Sequence, residues 1–249
     1  MGCVVIGLND YRFEDYLLEA NRAESVDSLF SILTKAAGKH GLNRCVFGMM
    51  TDHLDIGKKA GFGIACSYPD DWVQYYNEKN FRYIDPVIML GSIRAEPFLW
   101  SRLNDFMNLS KTQRDFLLLA EEAGLRNGLC VPLHGLNHQI AGVGLATTEK
   151  KDAFDRNVDL VAAYCSHFYV AYKRLMRRNA DVVHIQLTNK EREVLTWAAA
   201  GKTDAEIAFI LNMSRNTVDA HMRKIFSKLG ANSRVLAAVK AISLGLINV

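Results

Sequence analysis

The chain has 249 residues, 49% hydrophobic and 23% charged, the composition of a globular protein with room for two domains or one large one. No apolar run approaches the roughly 20 residues of a membrane span, and the start, MGCVVIGLNDYRF, lacks both the basic flank of a signal peptide and the Ser or Thr that a myristoylation signal needs where Ile6 stands. The net charge of +3 is uneven, with nine Lys/Arg against five Asp/Glu from Val183 onward and 21 against 22 before it, and the five scattered cysteines predict reduced thiols in a cytoplasm, not a disulfide framework.

In chain order, FEDYLLEANRA and SVDSLFSILTKAAGKHG read as helices, the second capped by Ser25 and stopped near Gly41. NRCVFGMM and AGFGIACSYP read as strands, and DDWVQYYNEKN as a short helix opened by acids. SKTQRDFLLLAEEAG is a capped amphipathic helix. GLCVPLHG and HQIAGVGLATTE form a strand pair around a turn near Leu136–His138. A long helix follows, Asp152–Arg178, with a basic C-terminal end that suits the helix dipole. Helices flanking a mostly antiparallel sheet make an α+β sandwich. NADVVHIQ breaks the periodicity and reads as a linker, 179–186. Beyond it lie four short helical patterns that must pack together to be stable. KEREVLTWAAA ends at Gly201, and TDAEIAFIL opens on a capping box of Thr203 and Glu206. SRNTVDAHMRKIFSKL ends at Gly230, and SRVLAAVKAISL runs from Ser233 to Gly245.

With Ser214 as N-cap, Val218, Met222, Ile225 and Leu229 form one stripe of the third of these helices. Asn216, Asp219, Ala220, Arg223 and Ser227 face the other way, flanked by Thr217 and Lys224. The helix before it is joined by only about three residues, NMS, which is the helix-turn-helix pattern. Such a second helix enters the major groove N-terminus first. Arg223 suits a guanine edge, Asn216 an adenine and Asp219 a cytosine N4. Arg215, Thr217, Lys224 and the helix start at Lys202–Thr203 suit phosphates. His221 reads as a packing or capping residue. The stretch LTNKEREVLTWAAAGKTDAEIAFILNMSRNTVDAHMRKIFSKLGANSRVLAAVKAISLGLI resembles the DNA-binding domain of the LuxR family along nearly its whole length. Glu191, Leu195, Gly201 and the elements GKT.AEIA, S..TV..H and KL fall on that family's hallmark positions. The resemblance implies that the last helix, Ser233–Leu244, joins two such domains in a homodimer, and that RNA polymerase is a partner.

In the first part, SYPDDWVQYYNEKNFRYIDP places Tyr68, Trp72 and Tyr76 at i, i+4 and i+8, with Asp85 and then Trp100 beyond. Aromatics with polar tips around one carboxylate describe an apolar pocket with a few oriented polar groups. This part resembles the autoinducer-binding domain of quorum-sensing LuxR-type regulators, since Trp72, Tyr76, Asp85, Pro86, Trp100 and Gly128 match its signature in order. The resemblance spans roughly Glu24 to Ile247 and implies an α–β–α sandwich around a five-stranded antiparallel sheet, followed by a small all-α four-helix helix-turn-helix domain. It implies residues 1–178 as the ligand-binding domain and 187–249 as the DNA-binding domain, and N-acyl homoserine lactone as regulatory ligand with no other cofactor. Tyr68 and Trp72 would donate to the acyl and lactone carbonyls, Asp85 would accept from the amide N–H, and Trp100 would wall the lactone ring. Without ligand, Asp85 is expected to lack a good partner. The chain departs from the family where a Ser or Thr commonly faces the ligand: Ala146 stands there, and only Thr148 would share its strand face.

Other readings are weaker. Receivers with the same DNA-binding domain need alternating βα units, which the antiparallel pattern opposes. Cys130 sits inside a strand pattern without a local His or Asn, which speaks against a thiol enzyme. His134 and His138 have a weak metal spacing with no third ligand nearby, and GFG and GVG open no helix. The alternative that keeps the fold is a solo regulator sensing a non-lactone molecule, although this chain retains Trp72 and Tyr76.

Overall fold

A computed structural model describes residues 11–149, 157–179 and 185–248. The chain divides into two compact units, Met1–Asp52 with Lys59–Gly135 and Ile140–Ala180, and His53–Lys58 with Leu136–Gln139 and Asp181–Val249. The first contains helices α1 (Phe13–Arg22) and α2 (Val26–Gly38), strands β1 (Arg44–Met49) and β2 (Gly61–Cys66), and helices α3 (Asp70–Glu78) and α4 (Pro86–Gly91). Strand β3 (Phe98–Leu99), helices α5 (Leu103–Phe106) and α6 (Lys111–Glu122), strands β4 (Asn127–His134) and β5 (Ile140–Thr147) and helix α7 (Val158–Asn179) complete it. The sheet is antiparallel, in the order β2-β1-β5-β4-β3.

Alternation along the strands sorts side chains to two faces. On one face Phe47 meets Phe168 and Tyr172 of α7, with ring centroids 5.1 and 4.8 Å apart. On the other, Val46 and Ala146 belong to a buried cluster with Tyr68, Trp72, Tyr76 and Phe116. Helices cover both faces, so the sandwich is α–β–α as the resemblance implied. Ser25 caps α2 as expected, and Ser110 opens α6 with a capping box to Gln113. The long-helix start at residues 152–156 and most of the linker lie outside the described residues. The short elements α4 and β3 were not foreseen. The four described cysteines are free, and burial pushes the thiols of Cys45, Cys130 and Cys165 up. Among the described residues no helix is long and apolar enough to cross a membrane.

The second unit carries α8 (Asn189–Ala199), α9 (Asp204–Ile210), α10 (Arg215–Leu229) and α11 (Arg234–Ser243). Local signals set its helix ends. Thr188 and Thr203 form capping boxes with Glu191 and Glu206, while Ser214 and Ser233 cap α10 and α11. Gly230 ends α10 at φ 54°, a left-handed geometry that glycine takes without strain. Val194, Leu195, Ile207, Val218, Ile225 and Leu229 are the centre of its core.

Candidate ligand cavity and DNA-reading face

A largely apolar cavity lies between the sheet and α3, α4 and α6, and bounds about 840 Å³ of space, part of it open to solvent. Tyr68, Trp72, Tyr76, Asp85 and Trp100 line it together. Acids in its first turn and a buried face of Trp72 and Tyr76 fix α3. Tyr76 stacks on Phe62 at 4.1 Å, and Trp72 and Phe81 pack on Phe116 of α6 at 5.9 and 5.2 Å. Phe116, Leu117 and Ala120 of α6, Leu125 just beyond it and Cys130 of β4 also line the cavity and were missed as ligand contacts in the sequence, where helix and strand patterns mark such residues only as core.

Asp85 is not the solitary carboxylate the sequence suggested. One oxygen accepts from the backbone N–H groups of Val87 at 2.8 Å and Ile88 at 3.4 Å, and the other accepts from the Tyr76 hydroxyl at 3.0 Å. It is the N-cap of α4, with Pro86 in the first turn, where its missing N–H costs nothing. Asp-Pro at a helix start was the available signal for this role. Burial pushes the Asp85 carboxyl up to about 6 against the pull of these donors. The Tyr76 phenol is raised, by burial first and then by Asp85.

Trp100 has its indole Nε1 buried without a partner among the described residues, a donor that a ligand acceptor would satisfy. Its ring lies on the bare face of Gly128, where an added β-carbon would come within 2.7 Å of the indole and collide with the Leu145 carbonyl. Gly128 is therefore a seat for Trp100. Thr148 is placed elsewhere. Strand β5 stops at Thr147, so Thr148 is exposed beyond it and does not line the cavity. Ala146 is fully buried, and Thr147, on the opposite face, is buried too and accepts from Glu149 N–H.

In the second unit, Asn212 closes the turn between α9 and α10 at φ 51°. Arg215, Asn216, Thr217, Ala220, Arg223 and Lys224 are exposed along α10, and Asp219 is half-exposed. Arg223 pairs with Asp219 at 2.7 Å. The Thr217 hydroxyl is shared with Ser214, and the Thr203 hydroxyl donates to Glu206. Lys202 approaches Glu206 at 3.5 Å. Lys228 donates to Glu191 at 2.6 Å and to the Gln186 carbonyl at 3.1 Å. Lys240 donates to the carbonyls of Leu229 and Gly230, which end α10.

Residues 25–171 match the family model of the autoinducer binding domain, and residues 185–241 that of the bacterial regulatory proteins of the luxR family. The chain belongs to the LuxR family. Among LuxR-family relatives, the transcriptional activator VanR of Vibrio anguillarum is 32% identical over 248 residues, 96% of this chain and 98% of that one. The quorum sensing-dependent transcriptional regulator RpaR of Rhodopseudomonas palustris is 34% identical over 188 residues, 74% of each chain. The crystal structure of Escherichia coli SdiA, 25% identical, aligns with a TM-score of 0.72 over 95% of this chain and 98% of that one. SdiA has also been solved in complex with octanoyl-rac-glycerol, at a TM-score of 0.69, 25% identity and coverage of 95% and 97%. This LuxR-family chain is a quorum-sensing transcriptional regulator, not an enzyme, with a small-molecule domain ahead of a helix-turn-helix that binds DNA.

Proposed function

We propose that this regulator senses an N-acyl homoserine lactone and binds a roughly palindromic promoter element as a homodimer, in the cytoplasm and in contact with RNA polymerase. Residues 1–178 are the sensing domain, 179–186 the linker and 187–249 the DNA-binding domain. The observation that carries the reading is an apolar cavity into which a few polar tips converge: Asp85, Tyr68, Trp72 and the unpartnered Trp100 indole. The amide N–H of an acylated amino lactone suits the remaining lone pair of Asp85. Its carbonyls suit the Tyr68 hydroxyl and the Trp72 indole, and Trp100 walls the ring. Lys202, Thr203, Arg215, Thr217 and Lys224 hold phosphates, while Asn216, Asp219, Ala220 and Arg223 face the bases. The complex of SdiA with octanoyl-rac-glycerol favours one second reading, a non-lactone acyl ligand whose hydroxyls would serve Asp85.

A thermal-shift screen over lactones and monoacylglycerols decides between them. A cognate lactone at 100 times its Kd should stabilise the wild type by about 2.7 kcal/mol. The shift should shrink in Asp85→Asn and in Trp72→Phe, which loses the indole donor. Stabilisation by monoacylglycerols alone would establish the second reading, and an undiminished shift in Asp85→Asn would remove Asp85 from the ligand's contacts.

A further inference from the structure

The cavity floor has an unusual composition. Antiparallel pairing sets Gly128, Ala146 and Arg44 in one row, Cys130, Gly144 and Val46 in the next, and Pro132, Gly142 and Gly48 in a third. Paired residues share a face, and Gly48, Gly142 and Gly144 line the cavity. In the second and third rows Gly144, Gly142 and Gly48 thus leave a strip of bare backbone, flanked by Val46, Cys130 and Pro132. Its two ends are closed differently. Trp100 lies on Gly128 at the first row. At the third, a β-carbon built on Gly142 would sit 3.0 Å from the Met50 methyl, and one built on Gly91 of α4 would sit 3.2 Å from the same methyl. Ala146 and Gly142 are four residues apart on β5, about 13 Å along the strand. Between the two closures the Tyr68 hydroxyl stands over Gly144, 3.1 Å from where a β-carbon would be. Of the side chains in the second and third rows, the Cys130 thiol is the polar one, and burial keeps it protonated.

We propose that Met50 is the length stop of this pocket, and that the strip over Gly144, Gly142 and Gly48 takes an unsubstituted hydrocarbon tail that ends against the Met50 methyl. The Met50 backbone is fixed by its N–H donating to the Ile140 carbonyl at 2.8 Å, while its unbranched side chain can yield or advance. The orientation, head under Trp100 and tail at Met50, rests on the lactone reading above.

The test is a thermal-shift and titration series on the full chain with butanoyl to dodecanoyl homoserine lactones. The wild type should show a length optimum, with affinity rising about fourfold per buried methylene up to it. Met50→Ala should move that optimum at least two carbons longer. Gly142→Ala presses its new methyl on Met50 and should move it shorter, and the Met50→Ala, Gly142→Ala pair should restore it. Met50→Leu, which keeps the volume but stiffens the end, should narrow the accepted lengths if Met50→Ala folds poorly. An unmoved optimum in a Met50→Ala protein that still binds, or an unchanged breadth of accepted lengths in Met50→Leu, overturns the proposal. If no lactone stabilises the wild type, the lactone reading falls, and a graded monoacylglycerol series judges Met50 by the same criterion. A wild type stabilised by neither series overturns both.

Discussion

Asp85 holds three donors at once, two from the first turn of α4 and one from Tyr76. Asn caps helices about as well as Asp, so Asp85→Asn should keep α4 and lose mainly the charge. Burial raises the carboxyl from 3.8 to about 6, so the folded chain holds this proton more tightly than the unfolded one. The sign follows: in the window between roughly pH 4 and 6 the group's contribution to stability falls as pH rises, by at most about 3 kcal/mol in all. A ligand N–H donating to the carboxylate favours the charged form, so binding should release a proton and tighten as pH rises through 6. Calorimetric titration in buffers of different ionisation enthalpy should detect the proton in wild type and miss it in Asp85→Asn. The same release from both proteins would place the titrating group elsewhere.

At the scale of elements, α10 is held at both ends: Ser214 caps its start, and Lys228 and Lys240 fasten its last turn. Burial pushes the Glu191 carboxyl up, but Lys228 and the Thr188 N–H together bring it below its ordinary value. The pair therefore stabilises above the usual carboxylate range and weakens as pH falls. Lys228→Met keeps the stem and removes the charge, and should cost the domain about 1–3 kcal/mol, read as a lower melting transition with a weaker acid dependence. The exposed Arg223–Asp219 pair is worth a few tenths of a kcal/mol, so Arg223 is free to leave it for a base at little cost. Arg223→Ala should then lose about 1–3 kcal/mol on the operator alone, whereas Lys224→Ala should weaken all sequences alike and lower the salt slope by about 1. Equal losses of operator and random-DNA binding in Arg223→Ala would remove it from the base-readers. Much of this unit could be read directly, because each helix carries its cap and stop within its own segment. Thr203 with Glu206, Ser214 and Gly230 all lie where the pattern put them. The cavity could be read only in part. The i, i+4 spacing put Trp72 and Tyr76 on one face, but β3 has two residues and exists through its pairing with β4. The glycine strip appears only once three strands are in register, and Thr148 was misplaced because the strand ends one residue earlier.

For the molecule as a whole, one short recognition helix covers few base pairs, so specificity calls for two copies about one DNA turn apart. The homodimer proposed above would draw on apolar residues that stand exposed. On α11, Val235 and Val239 are one turn apart and 74% and 53% exposed, and Val170 on α7 is 61% exposed. A dimer should appear in light scattering at working concentration. Val235→Glu with Val239→Glu should weaken operator binding at least tenfold and leave the ligand's thermal shift intact. Tight operator binding by a strict monomer would contradict the arrangement.

The double duty of Asp85 bears on how regulators of this design diverge. A mutation that retunes its contact with a signal's polar head also touches a helix start and the Tyr76 hydroxyl, so such a change carries a structural cost unless, like Asn, it can still cap α4. Met50 instead meets Gly142 and Gly91 with the methyl of an unbranched side chain, and no helix start depends on it. With Met50 as the length stop proposed above, lineages built on this scaffold would drift apart in the tail they accept while holding the head fixed, and neighbouring populations would acquire private signals through single substitutions at the far end of the pocket.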